Sequence, residues 1–257
     1  MTALPAPLLD VQGLGGGYGA AQILFDINLQ VQRGEVVALL GRNGAGKSTL
    51  LKALMGLLPN RRGRVHFMGQ DVSTWPPYRV AQLGLGYVPE DRRVFTDLTV
   101  LDNLEVGRQK PRLWPDGTAA PVWTPEQIFT LFPNLGEMRQ RPGGRMSGGE
   151  QQMLTVARTL MGNPLLVLLD EPSEGLAPLI VEQMADAIVA LKAQGVGVLL
   201  SEQNQHFASR VADRAYVIAQ GQVRVAGSLA ELDALDEFAE RAGQSDRHGG
   251  NRNDAVL

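Results

Sequence analysis

The 257-residue sequence contains no cysteine. That excludes disulfides, zinc–thiolate sites and thiol nucleophiles together. Aromatic residues are scarce, at 5%, so any core is built from aliphatic side chains. Nowhere do the roughly 18 consecutive apolar residues of a membrane-spanning helix occur. Met1–Asp10 shows no basic segment leading into an apolar one, so no signal peptide is expected. Positive charge is not in excess either. Lys and Arg number 24 against 27 Asp and Glu, a formal charge of −3, which argues against nucleic acid as a partner. A cytoplasmic globular protein is expected, with length for one large domain and an attached sub-domain.

The pattern of apolar residues is that of an α/β protein. Glu35–Leu40 reads as a buried strand closed by Gly41, and Leu50, Leu51, Leu54, Leu57 and Leu58 then follow at helical spacing until Pro59. Leu165–Leu169 and Val196–Leu200 are continuous apolar runs of the kind buried on both faces of a parallel sheet. Between them, Ile180, Met184, Ile188 and Leu191 share one helical face. The first ~30 residues, Gly63–Gly69 and Gly221–Gly227 read as short strands with glycine turns, suited to a separate antiparallel sheet. Gly107–Gln127 contains Pro111, Pro115, Pro121 and Pro125 with Trp114 and Trp123 among them, which predicts a loop. It is either a solvated insertion with its tryptophans tucked onto the body or a docking surface for another protein. Residues 241–257 are expected to be disordered.

Three motifs carry chemistry. Gly41-Arg42-Asn43-Gly44-Ala45-Gly46-Lys47-Ser48-Thr49 fits the phosphate-binding loop between a strand and a helix. Its glycines let backbone N–H groups turn toward phosphate oxygens, and the next helix aims its positive end there. Lys47 adds a full charge and Ser48 a hydroxyl for Mg²⁺. Asp170 and Glu171 end a buried strand, where open α/β sheets bind ligands. Asp170 suits the Mg²⁺ role and Glu171 the activation of water. Two neighbouring carboxylates repel unless a cation lies between them, which also points to a metal. The third motif is Met146-Ser147-Gly148-Gly149-Glu150-Gln151-Gln152. Ser147 with Glu150 makes a capping box, whereas the bare Gly148 and Gly149 would open helix amides to an anion. Spacing alone leaves both readings standing.

These motifs, in this order, resemble those of ABC-transporter ATP-binding subunits over about Leu8 to Glu240, roughly nine-tenths of the chain. Gly84-Leu85-Gly86-Tyr87-Val88-Pro89-Glu90, Asp91-Arg92-Arg93-Val94-Phe95, Ser173-Glu174-Gly175-Leu176-Ala177-Pro178 and Ser201-Glu202-Gln203-Asn204 narrow the resemblance. They are similar to segments of the second ATPase subunit of bacterial branched-chain amino-acid importers. The resemblance implies a P-loop NTPase (RecA-like) α/β fold, a parallel-sheet core with an antiparallel β sub-domain and a helical signature sub-domain. The domain would span 8–240, with core and β sub-domain at 8–90 and 160–240 and the helical sub-domain at 91–159. It implies ATP and Mg²⁺ as ligands, with Tyr18 stacking on adenine, although a strand-end tyrosine would look the same. Ser147, Gly148 and Gly149 would bind the terminal phosphate of ATP held by a second ATPase subunit, the two pairing head to tail. Further partners would be permease subunits, docked around Glu90–Leu104 and the helical sub-domain, and indirectly an extracytoplasmic solute-binding protein. The expected place is peripheral, on the cytoplasmic face of the inner membrane.

Two positions depart from the general family pattern. Glu90 stands where Gln is usual, adding negative charge near phosphates, and Gln203-Asn204 stands where His-Asp is usual. Glutamine can donate to a phosphate but takes no proton at neutral pH. Both exchanges are familiar in the branched-chain subgroup. They leave open a nucleotide-gated binding subunit with weak hydrolysis, paired with a more active sister ATPase. A third reading is a soluble cassette protein of translation or DNA repair; those usually carry tandem cassettes or a long coiled-coil insertion, and neither is present here. His206 is either a substitute for the missing switch histidine or a surface residue.

Overall fold

The computed structural model describes residues 6–231. The segment 241–257 lies outside them. The chain opens with the antiparallel strands β1 (Leu9–Tyr18) and β2 (Ala21–Val31), then enters the core with β3 (Val36–Leu40). All five β3 residues are buried, as a run of Val, Ala and Leu requires when both faces of the strand are covered. The phosphate-loop sequence follows, and then α1 (Lys47–Leu54). Strands β4 (Asn60–Phe67) and β5 (Gln70–Asp71) return to the first sheet, whose order is β2-β1-β4-β5.

After α2 (Pro77–Leu83) and β6 (Leu85–Val88) the chain leaves the core for α3 (Val100–Gly107), α4 (Pro125–Leu131), α5 (Pro133–Glu137) and α6 (Gly148–Leu160). It returns through β7 (Leu166–Asp170), α7 (Pro178–Ala193), β8 (Gly197–Glu202), α8 (Gln205–Val211), β9 (Arg214–Ala219) and β10 (Gln222–Ser228). The second sheet has the order β10-β9-β3-β8-β7-β6, parallel from β9 to β6. The expected α/β architecture, a parallel core beside an antiparallel sheet with helices packed against it, is what the chain forms. Among the described residues no helix is long and apolar enough to cross a membrane.

Three expectations need correction. Gly221–Gly227 does not join the separate antiparallel sheet. It lies in β10, which pairs antiparallel with β9 at the edge of the main sheet, because Gln220 and Gly221 form a tight turn that folds β10 straight back on its neighbour. The helix read as continuing to Pro59 stops at Leu54. Gly56, at φ +78, lets its own N–H reach Ala53 O at 3.1 Å and that of Leu57 reach Lys52 O at 2.9 Å, the closing pattern that a left-handed glycine permits. The proline-rich loop is shorter than predicted, since Pro125 occupies the first turn of α4, where its missing N–H costs nothing. Trp114 and Trp123 are buried, at 2% and 4% exposure, so the tucked-in reading holds and the tryptophans are not a docking surface.

Candidate active site

The loop after β3 turns where only glycine fits. A Cβ at Gly41 would lie 2.3 Å from the carbonyl oxygen of Ile218 on β9. The rest of the loop is tied down by Ala45 N–H to Arg42 O (3.1 Å) and Gly221 N–H to Ala45 O (2.9 Å). Helix α1 then starts at Lys47 with its N-terminal end toward the loop. Tyr18, Ile23, residues 43–49, Glu90 and Glu171 line a cavity of about 240 Å³ above it. Four separate regions of the sequence thus meet around one cavity. Gly41 and Arg42 support the loop from below, their carbonyls accepting from Lys47 Nζ at 2.7 and 3.4 Å.

Asp170 is 1% exposed at the end of β7 and is surrounded by hydroxyls. Ser48 Oγ donates to its Oδ1 at 2.8 Å, Ser201 Oγ to the same oxygen at 2.7 Å, and Tyr87 OH to Oδ2 at 3.2 Å. Burial, and then the charge of Asp170, push the Tyr87 phenol far above its ordinary range, so it remains a neutral donor at any physiological pH. Tyr87 and Ser201 stand in segments that narrow the resemblance, but the sequence alone assigns them no role at the site. They reach Asp170 because β6 and β8 flank β7, with Ser201 in register opposite Asp170. Nothing short of the strand order would have revealed them.

Glu171 adopts φ +48, a left-handed conformation that costs a non-glycine residue about 1–3 kcal/mol and clusters at functional sites. Its N–H donates to Ser201 O at 3.1 Å, and its Oε1 lies 2.9 Å from Lys47 Nζ, both side chains being nearly buried. This changes the argument about paired carboxylates. The cation relieving Glu171 is Lys47, and Asp170 is satisfied by hydroxyls, so the pair by itself does not demand a metal. The oxygen donors of Ser48, of Asp170 bonded to it and of Glu90 on the same cavity nevertheless match the hard-ligand preference of Mg²⁺.

Glu90 is exposed at the cavity rim, and its carboxyl is raised by desolvation and by the nearby charges of Glu174, Asp170 and Glu171. Gln203 Nε2 donates to Asn43 Oδ1 in the phosphate loop, so the switch position is brought to the loop. Tyr18 is 45% exposed, open for stacking. His206 is exposed on α8, away from the cavity lining.

Ser147, Gly148 and Gly149 do not line this cavity. The capping box is present, with Ser147 N–H to Glu150 Oε2 at 2.6 Å and Glu150 N–H to Ser147 Oγ at 3.4 Å. Arg92 lies against this end of α6, its Nη1 being 2.4 Å from where a Cβ on Gly148 would stand. The motif is therefore a capped helix start that lies outside the cavity over its own phosphate loop.

The sequence profile described as "ABC transporter" matches residues 24–174. The chain is 43% identical to the high-affinity branched-chain amino acid transport ATP-binding protein BraG of Pseudomonas aeruginosa, over 80% of this chain and 86% of that one. It is 33% identical to the lipopolysaccharide export system ATP-binding protein LptB of Haemophilus influenzae, over 86% and 90% of the two chains. A solved structure described as an ATP-binding subunit of an ABC transporter superimposes with a TM-score of 0.73 at 30% identity, covering 90% of this chain and 93% of that one.

Proposed function

From the premise that this chain belongs to the ABC transporter family as an ATP-binding subunit, whose cassettes hydrolyse ATP to power transport, we propose that it is the motor of a bacterial importer for branched-chain amino acids or a related small solute. The branched-chain label rests on the 43% identity to BraG, against 33% to the lipopolysaccharide exporter's ATPase. The observation that carries the motor role is that Lys47, Ser48 and Glu171 line one cavity, with Asp170 accepting a hydrogen bond from the Ser48 hydroxyl.

In this reading Tyr18 stacks on the adenine and the amides of residues 43–49 hold the phosphates. Mg²⁺, when bound through Ser48, Asp170 and Glu90, would neutralise charge on the β- and γ-phosphates. Phosphate oxygens compete with Glu171 for Lys47. Once Lys47 turns to them, the Glu171 carboxylate is free to take a proton from the water that attacks in line. Gln203, beside Asn43, donates to the terminal phosphate. It holds rather than accepts a proton there, so Glu171 alone acts as base.

Ser147–Gly149 would meet the nucleotide of a second ATPase subunit, which makes ATP part of the contact between the two. A groove of about 610 Å³ between core and helices, lined by Tyr78, Tyr87, Phe95, Val106 and Arg158 among others, would receive the permease. Tyr78, Phe95 and Val106 are exposed there, at 64%, 47% and 54%. Permease binding would hold the chain at the cytoplasmic face of the inner membrane, with an extracytoplasmic binding protein delivering solute.

The test is reconstitution of the co-purified permease complex in vesicles. ATP-dependent uptake of leucine, lost in Lys47→Ala and Glu171→Gln, is expected. ATP-driven movement in the opposite direction, or undiminished turnover in Glu171→Gln, would overturn the proposal.

A further inference from the structure

Asp170 and Glu171 have roles in the reading above, and a third buried acid, Glu202, has none. It ends β8 at 1% exposure. Among the described residues it forms no ion pair with Lys, Arg or His. A carboxylate buried without a counter-ion is costly, so its place calls for a reason. Its two oxygens point to two different turns. Oε1 accepts the backbone N–H of Ser173 at 3.0 Å, and Oε2 accepts that of Asn204 at 3.3 Å. Ser173 is two residues past Glu171, and Asn204 is one past Gln203.

We infer that Glu202 is a positioning residue for hydrolysis, which locks the turn after Glu171 to the turn that presents Gln203. The inference rests on the roles given to Glu171 and Gln203 above. Glu171 has a strained left-handed backbone, and such strain persists only where the surroundings over-determine it. Ser201 grips that backbone from one side through the Glu171 N–H. Glu202 grips it from the other through Ser173. The same carboxylate fixes the turn bearing Gln203, so the acid and the amide keep one mutual geometry. Burial, reinforced by the charge of Glu171, pushes the Glu202 carboxyl upward, while its hydrogen bonds to Ser173 and Asn204 pull the other way. The chain thus keeps a carboxyl group where burial disfavours its charged form, as expected when position matters more than stability.

Steady-state ATP hydrolysis by the full chain tests this. Glu202→Gln conserves volume and one acceptor but turns an NH₂ toward the second amide. The expected result is a kcat lower by about 10- to 100-fold, the scale of a small misplacement of catalytic groups, with KM for ATP unchanged and no fall in Tm near neutral pH. A lower Tm with unaltered kcat would mark Glu202 as merely structural and overturn the inference. So would a kcat loss matched by a rise in KM, which would place it in ATP binding instead. Should the variant fail to fold, or the wild-type chain itself show no turnover (which would count against the motor reading), hydrogen exchange on the wild type decides. Protected amides at both Ser173 and Asn204 support the lock, and exchange of either at the rate of an unbonded amide overturns it.

Discussion

Lys47 and Glu171 hold each other at 2.9 Å with side-chain exposures of 4% and 6%, and the chemistry of the site follows from what breaks that pair. Removing one partner of a buried pair leaves the other charge uncompensated, at about 3–5 kcal/mol. Glu171→Gln should therefore lower the Tm without nucleotide, and Mg·ATP should restore it by giving Lys47 a new anion. Turnover in the same variant should fall about 10²–10⁴-fold, the usual loss for a positioned general base. Thermal shift and phosphate release read the two effects from one preparation. Lys47→Ala should show no heat of ATP binding in calorimetry. At Glu202 the sign of the pH effect follows from its raised carboxyl. A folded value above the unfolded 4.5 means the native state binds more protons in the window between them. The stability tied to that proton is complete below 4.5 and is lost as pH rises through the folded value. The Tm advantage of Glu202→Gln over the wild type should therefore be largest above the folded value and shrink on acidification toward 4.5.

Among the elements, the segment between α3 and α4 shows how an insertion is held. Trp114 packs into the core cluster that contains Leu165, Leu166 and Leu199, with the Arg33 guanidinium 4.1 Å over its ring. Arg33 also pairs with Asp116 at 3.1 Å, although both are about half exposed and that pair adds little. Arg112 donates to Ala81 O and Gln82 O near the end of α2 and to Gly162 O and Asn163 O just past α6. One side chain thus satisfies the open carbonyls at two helix ends. Trp123 packs instead with the cluster that holds the helices, its backbone N–H donating to Asn163 Oδ1 at 2.8 Å. The segment is a strap tying the helices to the base of the sheet. Trp114→Ala should cost about 3–5 kcal/mol, as large aromatic truncations in cores do. Because the strap does not line the cavity proposed to hold the nucleotide, kcat in the folded variant should be unchanged. Chemical denaturation with a parallel ATPase assay checks both.

For the whole molecule, the decisive relation is that Ser147–Gly149 lies off the cavity that the phosphate loop lines. If these residues complete the site of a second subunit, ATP should join two chains. The Glu171→Gln chain should elute as a dimer with Mg·ATP and as a monomer without it. Adding Ser147→Arg should abolish the dimer while leaving the heat of ATP binding intact. An ATP-independent elution position in Glu171→Gln would count against the head-to-tail arrangement.

What the sequence determined by itself is what neighbouring residues decide. The glycine-lysine-serine loop and the Ser147–Glu150 capping box depend on backbone turns and side chains a few residues apart, so both were readable in one dimension. The apolar runs of β3, β7 and β8 were equally plain, since burial on both faces leaves no polar alternation. What only the tertiary structure decided is which distant groups meet. The hydroxyls of Tyr87 and Ser201 on Asp170, the hold of Lys47 on Glu171 and the lock at Glu202 all follow from strand order. Strand order is fixed by the packing of the whole sheet, and no local interaction along the chain encodes it.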